Sequence, residues 1–277
     1  MRSNRRLGIG PGFTVDAVTC ADDHRGWSQV EVHDDYRLVL VRSGRFGRMA
    51  GGVAALADPT MAYLGVPGEE ERFSHPSGGD VCTALSLSPT LWRSMTGDGA
   101  GRLRPTVYVD ARVELAHRAF LRAAKSGDAG YALAEGLLGL LGATLRQASA
   151  DLGPPAAMAA PRSSKARGRL VSAAREAIIA DHPAAEGLLS LAEFLGASPY
   201  QLSRAFTREM GVSLTHYRNR VRVGRALERL ENGAAGLAEL AAELGFADQA
   251  HLTRTVRSHL GHTPTALRRL LSGGARQ

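Results

Sequence analysis

Two cysteines, Cys20 and Cys82, in 277 residues are too few to staple a small secreted fold. No apolar run reaches the ~18 residues of a membrane span. The longest candidate, 133–145, is interrupted by Glu135 and several glycines. The opening MRSNRRLGIGPG carries charge but no apolar stretch and no cleavage pattern, so no signal peptide is expected and the chain reads as soluble and cytoplasmic. Signatures of catalysis are missing too. There is no phosphate-binding P-loop, no Gly-x-Ser-x-Gly and no His-Glu-x-x-His, and GIGPG at 8–12 lacks the strand and helix that a nucleotide loop needs. No enzyme is expected. Lysine is nearly absent: Lys125 and Lys165 stand among 34 basic residues, and the rest are arginine.

The arginines are unevenly opposed. Residues 1–151 carry 17 Lys/Arg against 17 Asp/Glu, whereas 152–277 carry 17 against 10, so the net charge of +7 lies wholly in the second part. Such an excess suits a phosphate-bearing partner or merely a basic surface. Between the two parts, 151–168 is rich in Pro, Ala and small polar residues without an apolar period, as in a linker. Residues 1–150 and 169–277 are then separate domains. The first is strand-like. YRLVLVR at 36–42 and VCTALSL at 81–87 are short apolar runs with frequent Gly and Pro turns between them, which predicts a small β-sandwich or barrel over about 13–88. Helical spacing follows at 111–125 and 131–148 and resumes after the linker, so the fold class is α+β with an all-α second domain.

The second domain repeats itself with a period of about 50 residues. Leu191, Ala192, Leu195 and Gly196 match Leu240, Ala241, Leu244 and Gly245; with one residue inserted, Leu202, Arg204 and Gly211 match Leu252, Arg254 and Gly261. Each copy, about 188–211 and 237–261, reads as helix, tight turn, helix. In the first, Ser190 and Glu193 have the spacing of a capping box, Gly196 ends the helix, Ser198-Pro199 starts the next, and Gly211 stops it. Leu202, Phe206 and Met210 face inward, as do Leu252, Val256 and Leu260, with Asp248 as the cap of the second copy. Tyr200, Gln201, Ser203 and Arg204 face outward, as do Gln249, Ala250, His251 and Arg254. Arg can read guanine and Gln adenine through paired hydrogen bonds in the major groove. A single hairpin of this kind is common by chance; two at a fixed period in the only basic part of the chain point to a nucleic-acid reader. Between the copies, Thr215–Leu230 predicts a long helix with Tyr217, Val221, Leu227 and Leu230 inward and Arg218, Arg220, Arg222, Arg225 and Arg229 on its rim, Arg222 and Arg225 being candidate phosphate contacts.

Residues 170–270 resemble the DNA-binding domain of the AraC/XylS family of bacterial transcription regulators. The resemblance is carried by Leu191-Ala192, Ser198, Leu202, Ser203-Arg204, Phe206, Gly211, Tyr217, Arg222-Val223, Ala226, Leu230, Gly245-Phe246, Arg254, Gly261, Pro264 and Arg268. It implies seven helices, with Tyr200, Ser203 and Arg204 of the first unit and Gln249, Ala250, His251 and Arg254 of the second touching bases. It also implies double-stranded DNA, RNA polymerase, an effector and a second copy of the chain as partners. The chain departs from the family at Leu252 and Val256, where aromatics are usual, which implies a second unit packed less firmly. Residues 13–88 loosely resemble the family's cupin-like sensor domain, although the cupin metal signature, His-x-His followed by Glu, is absent. Cys20 and His24 are four apart, and His75, Asp80 and Cys82 lie in and after a turn; their thiols and imidazoles suit Zn²⁺ or Cu(I) should folding bring them together, or thiol redox chemistry, but the spacing is no recognised ligand pattern, and simple burial is the alternative. Trp27, Tyr36, Tyr63 and Phe73 are candidates for an organic-ligand pocket or for the core. Two rivals stay open: a cupin-type metalloenzyme with a DNA-binding appendage, and an architectural DNA binder without effector control.

Overall fold

The two apolar runs are continuous because the strands they form are covered on both faces. In a computed structural model of the chain, which describes residues 2–21, 24–76, 78–97, 105–125, 128, 131–150, 161–233 and 236–271, YRLVLVR is β3 (Tyr36–Ser43) and VCTALSL is β8 (Asp80–Leu87). They pair antiparallel at the centre of a six-stranded sheet of order β1-β2-β8-β3-β6-β9. The other members are β1 (Arg2–Gly10), β2 (Phe13–Cys20), β6 (Met61–Gly65) and β9 (Thr106–Tyr108). A three-stranded sheet, β5-β4-β7, comprises β4 (Phe46–Ala50), β5 (Val53–Ala57) and β7 (Glu71–Ser74).

Alternation along each strand sorts residues into two cores. Phe13 and Val15, Leu38 and Leu40, Ala62 and Leu64, and Leu85 and Leu87 face the helices α1 (Pro89–Thr96), α2 (Ala111–Lys125) and α3 (Ala132–Ala150), meeting Trp92, Phe120, Leu133 and Leu140. The intervening residues, Val18 and Cys20, Val39 and Val41, Tyr63, and Cys82 and Ala84, face the small sheet and its Phe46 and Phe73. The layers are therefore small sheet, large sheet, helices. The sheet begins earlier than the expected 13, because the polar β1 pairs along all of β2, from Arg2 opposite Cys20 to Gly10 opposite Phe13. Of GIGPG, the first three residues close β1 and Pro11-Gly12 is the turn of that hairpin.

His117 ties α2 to the sheet. It is buried, and its Nε2 lies 2.8 Å from Oγ1 of fully buried Thr83. Burial, with Arg42 and Arg118 nearby and only Glu114 opposing them, pushes its pKa down from 6.5 to about 3. The folded value lies below the unfolded one, so this contribution to stability is complete above pH 6.5 and is lost as the pH falls towards 3. At pH 4.5 the loss is about 2–3 kcal/mol. Urea midpoints at pH 7.5 and 4.5 should fall less in His117→Gln, which cannot titrate, than in the parent; equal falls would mean that His117 has access to water when folded.

The chain divides into two units, 1–152 and 153–277. Of the expected linker, 151–160 lies outside the described residues, and 161–168 is helical, opening α4 (Pro161–Ile179). Residues 161–168 are Pro, Arg, Ser, Lys, Ala and Gly without an apolar stripe; the stripe starts only with Val171, Ala174 and Ile178, all buried. A 3₁₀ turn (Pro183–Glu186) then leads to α5 (Leu188–Phe194), α6 (Pro199–Met210), α7 (Leu214–Glu231), α8 (Leu237–Glu243), α9 (Gln249–Leu260) and α10 (Pro264–Leu271), giving seven α-helices among the described residues of this unit.

The repeat is visible in its caps. Gly196 and Gly245 are left-handed at φ +63° and +69°, Ser198 and Asp248 cap the following helices, Gly211 and Gly261 end them at φ +72° and +74°, and Ser213 and Thr263 start α7 and α10. The inserted residue falls between Gly245 and Asp248. Ser190 is not the expected cap. Helix α5 starts three residues earlier, after extended Gly187, and the Ser190 hydroxyl donates to the carbonyls of Ala184 and Gly187 that the 3₁₀ turn presents to it.

Candidate nucleic-acid interface and an N-terminal cavity

Helix α6 is anchored by Leu202, Phe206 and Met210, all buried; Phe206 meets Tyr217 of α7 edge-on with ring centroids 5.1 Å apart. That leaves Tyr200, Gln201, Arg204, Thr207 and Arg208 exposed, with Ser203 half-buried beside them. Arg204 is braced along the helix: its guanidinium donates to the Tyr200 hydroxyl at 2.8 Å and lies 5.4 Å from the ring centroid. This uses one of five N–H donors and holds the planar fork on the exposed face. Gln201 has a second task that the sequence reading did not give it. Its side-chain oxygen accepts from the Ser198 N–H while Ser198 Oγ accepts from the Gln201 N–H, a complete capping box. Reading adenine with both amide atoms would require giving up that cap.

In α9, Leu252, Val256 and Leu260 are buried, so the two positions that depart from the family pattern are filled with no residual exposure of note. Gln249, Ala250 and Arg254 are exposed. Ala250 stands where the first unit has Tyr200, so Arg254 has no tyrosine brace. His251 is half-buried; its Nδ1 accepts from the Ala247 N–H at 3.3 Å, which leaves Nε2 as its outward atom.

On α7 the arginines divide. Arg220 was expected on the rim but is buried, 2% exposed. It falls between Tyr217 and Gly224 on the buried stripe, three and four residues from each, so its helical position overrides its charge. Arg222 is half-buried, its guanidinium 5.5 Å from the Phe246 ring centroid and close enough to Gly245 that a Cβ there would lie 2.8 Å from it. Arg225 donates to the Ile179 carbonyl at 2.9 Å and pairs with Asp181 at 3.0 Å, which fastens α7 to the end of α4. Arg229 pairs with Glu243 of α8. Arg218 is half-exposed.

In the N-terminal unit, a cavity of about 210 Å³ lies between the sheets. The β2–β8 register creates its chemistry: Cys20 pairs with Asp80 and Val18 with Cys82, and residues opposite one another in an antiparallel pair share a face. All four candidate donors, Cys20, His24, His75 and Cys82, line this cavity, although 55 residues separate Cys20 from His75. Asp80 lines it too, and Arg2, Glu31 and Arg37, to which no local spacing points, join them. His75 Nε2 is 2.9 Å from Asp80 Oδ1, the Cys82 thiol donates to Asp80 Oδ2 at 3.0 Å, and the His75 N–H donates to the His24 carbonyl. Burial raises the Cys20 and Cys82 pKa values, with Asp80 adding to both, and it lowers that of His75. Both cysteines are free thiols. Of the aromatic candidates, Tyr63 and Phe73 line the cavity; Tyr36 instead stacks on Trp92 in the helix-side core at 4.7 Å, and Trp27 is 41% exposed.

Two helix-turn-helix units of the same build, each presenting a polar helix face beside arginine, define a DNA-binding domain. Residues 191–270 match the family described as helix-turn-helix domain. A 65-residue stretch is 35% identical to an uncharacterised HTH-type transcriptional regulator, YbfI, of Bacillus subtilis (strain 168), and it spans 24% of this chain and 23% of that protein. Among solved structures, the C-terminal domain of AraT, a response regulator from Geobacillus stearothermophilus, is similar at 29% identity, with a TM-score of 0.36, over 39% of this chain and 90% of that one. ToxT from Vibrio cholerae is similar at 11% identity, with a TM-score of 0.36, over 95% of this chain and 100% of that one. Residues 191–270 are a helix-turn-helix domain. Among the described residues, no helix is long and apolar enough to cross a membrane.

Proposed function

We propose that the chain is a cytoplasmic transcription regulator that binds specific DNA sequences through α6 and α9 and is controlled by an effector taken up in its N-terminal unit. The observation that carries this reading is the equivalence of the two exposed faces, with Arg204 and Arg254 at corresponding positions of units joined by one helix. The 18 residues of α7 span roughly 27 Å at 1.5 Å per residue, a length that suits reading helices set in successive major grooves about 34 Å apart. The cavity between the sheets is the support for effector control, since it brings charged, thiol and aromatic side chains to one place. Action as a homodimer belongs to the same reading. The apolar faces of α2 and α3 are mostly spent inside their own unit, and among the described residues Leu138 of α3 and Tyr131 just before it remain exposed for a second copy.

Selection of bound DNA from a random pool, followed by hydroxyl-radical footprinting, tests the proposal. Each monomer should protect two short blocks about 10 bp apart on one face; a single block would restrict reading to one unit, and equal affinity for all sequences would leave an architectural binder. On the selected site, Arg204→Ala should cost about 1–3 kcal/mol and relax preference at one or two base pairs. A uniform loss over all single-base variants, with a salt slope reduced by about 0.9, would make Arg204 a phosphate contact instead.

A further inference from the structure

We propose that Cys20, His75 and Asp80 form a Zn²⁺ site in the N-terminal unit, with the Cys82 thiol holding the Asp80 carboxylate in place. One donor atom from each of the three residues lies within 4.8 Å of those of the other two. Ligands around a tetrahedral ion at about 2.0–2.3 Å stand somewhat closer, within reach of small side-chain rotations. A thiolate, an imidazole and a carboxylate are the donor types of zinc proteins, and the two anions balance the charge of the ion.

Three further features of the cavity fit a ligand set. His75 is 7% exposed, and the buried Asp80 Oδ1, 2.9 Å from its Nε2, has no hydrogen-bond partner among the described residues. An orphaned buried carboxylate oxygen is costly, and an ion held between it and the imidazole offers it a partner. The Cys82 Sγ–Asp80 Oδ2 contact at 3.0 Å orients the carboxylate from behind, as outer groups do around bound metals. The backbone is built for the approach: a Cβ on Gly79 would lie 2.1 Å from the Cys20 carbonyl, so only glycine lets the start of β8 come down beside the end of β2 and set Asp80 against Cys20. His24 lies beside this set, its ring centroid 4.9 Å from that of His75. On binding, the Cys20 thiol gives its proton to solvent and no electron moves.

The alternative is a buried His75–Asp80 pair with two inert thiols. Titration of the full-length chain with Co²⁺, a coloured stand-in for Zn²⁺, separates the two. The expected result is one equivalent bound, with the near-ultraviolet band of a thiolate–cobalt bond, displaced by Zn²⁺. The band should vanish in Cys20→Ser and persist in Cys82→Ala with affinity about 10- to 100-fold lower. His75→Gln, checked by circular dichroism, covers the case in which Cys20→Ser does not fold, and it should lose stoichiometric binding. No band at stoichiometric Co²⁺ in the parent, or an unchanged band in Cys20→Ser, overturns the site.

That the ion is the effector rests on the regulator reading and is tested separately. Zn²⁺ should change the affinity of the parent for its selected DNA and leave that of the folded Cys20→Ser or His75→Gln variant unchanged. Stoichiometric Zn²⁺ with unchanged DNA affinity would overturn the ion as effector, while failure to select any DNA would overturn the regulator reading; the cobalt result stands or falls apart from both.

Discussion

Phe206→Ala should unfold the first helix-turn-helix unit and abolish sequence-specific DNA binding while the N-terminal unit stays folded. The ring is fully buried and touches Tyr217 of α7, itself fully buried. It sits one turn from Leu202 and one turn from Met210, so it is the middle of the stripe that seats α6. Truncation removes the transfer energy of an aromatic side chain and leaves a cavity that two rigid helices cannot close, at a cost of about 3–5 kcal/mol. A small helical unit has stability of that order to lose. Thermal unfolding of the full chain, followed by far-ultraviolet circular dichroism for the helices and by near-ultraviolet signals for the sheet domain, should show the helical transition move and the other stay. The footprint block assigned to α6 should disappear. Thr207→Ala, one residue along and exposed, should move neither. A loss below about 1 kcal/mol for Phe206→Ala would mean that α6 is held by contacts other than this stripe.

The helical unit was legible because its signals are local. Caps, left-handed glycines and the spacing of Leu202, Phe206 and Met210 all act within one or two turns, and repetition doubled them. Where sequence and structure part in this unit, charge or composition outweighs period: its charge suggests the rim for Arg220 although Tyr217, Val221 and Gly224 bracket it on the buried stripe, and 161–168 has the composition of a linker because a helix start without apolar residues has no stripe. In the sheet domain, β3 and β8 were legible as runs buried on both sides. The edge strand β1, RSNRRLGIG, was not, since most of it faces water and its pairing with β2 is what makes it a strand. The cavity was legible only as parts. Cys20, His24, His75 and Cys82 could be named by chemistry, but their meeting depends on the β2–β8 register, a pairing between segments 60 residues apart that no spacing rule encodes. Asp80 stands two residues before Cys82 in the sequence, but that it faces Cys20 depends on the same register.

Glu71→Ala should destabilise the N-terminal unit by about 3–5 kcal/mol, the cost of leaving a buried charge without its partner. Glu71 and Arg48 have side chains 3% and 4% exposed and meet at 2.5 Å between Oε1 and Nε. Arg48 also reaches Glu69 at 2.6 Å, and its guanidinium lies 4.5 Å from the Tyr63 ring centroid. Glu71 in turn stands 3.9 Å from Arg37, a cavity residue whose guanidinium meets His33 Nε2 at 2.5 Å. Removing the carboxylate therefore strands two half-compensated guanidiniums between the sheets, with half-exposed Glu69 left to answer for Arg48. Two charges replaced together behave differently, because a well-packed apolar pair needs no desolvation of ions. Arg48→Met combined with Glu71→Leu should recover most of the loss of the single variant, and the shortfall in additivity measures the coupling. Urea unfolding of the N-terminal transition in the parent, Arg48→Met, Glu71→Leu and the double variant provides the four values needed, with Glu71→Ala measured beside them. The ordering expected is parent and double variant close together, with both singles well below. A Glu71→Ala loss under about 1 kcal/mol would instead place the pair in contact with water, as for ordinary surface pairs, and the double variant would then gain nothing over the singles.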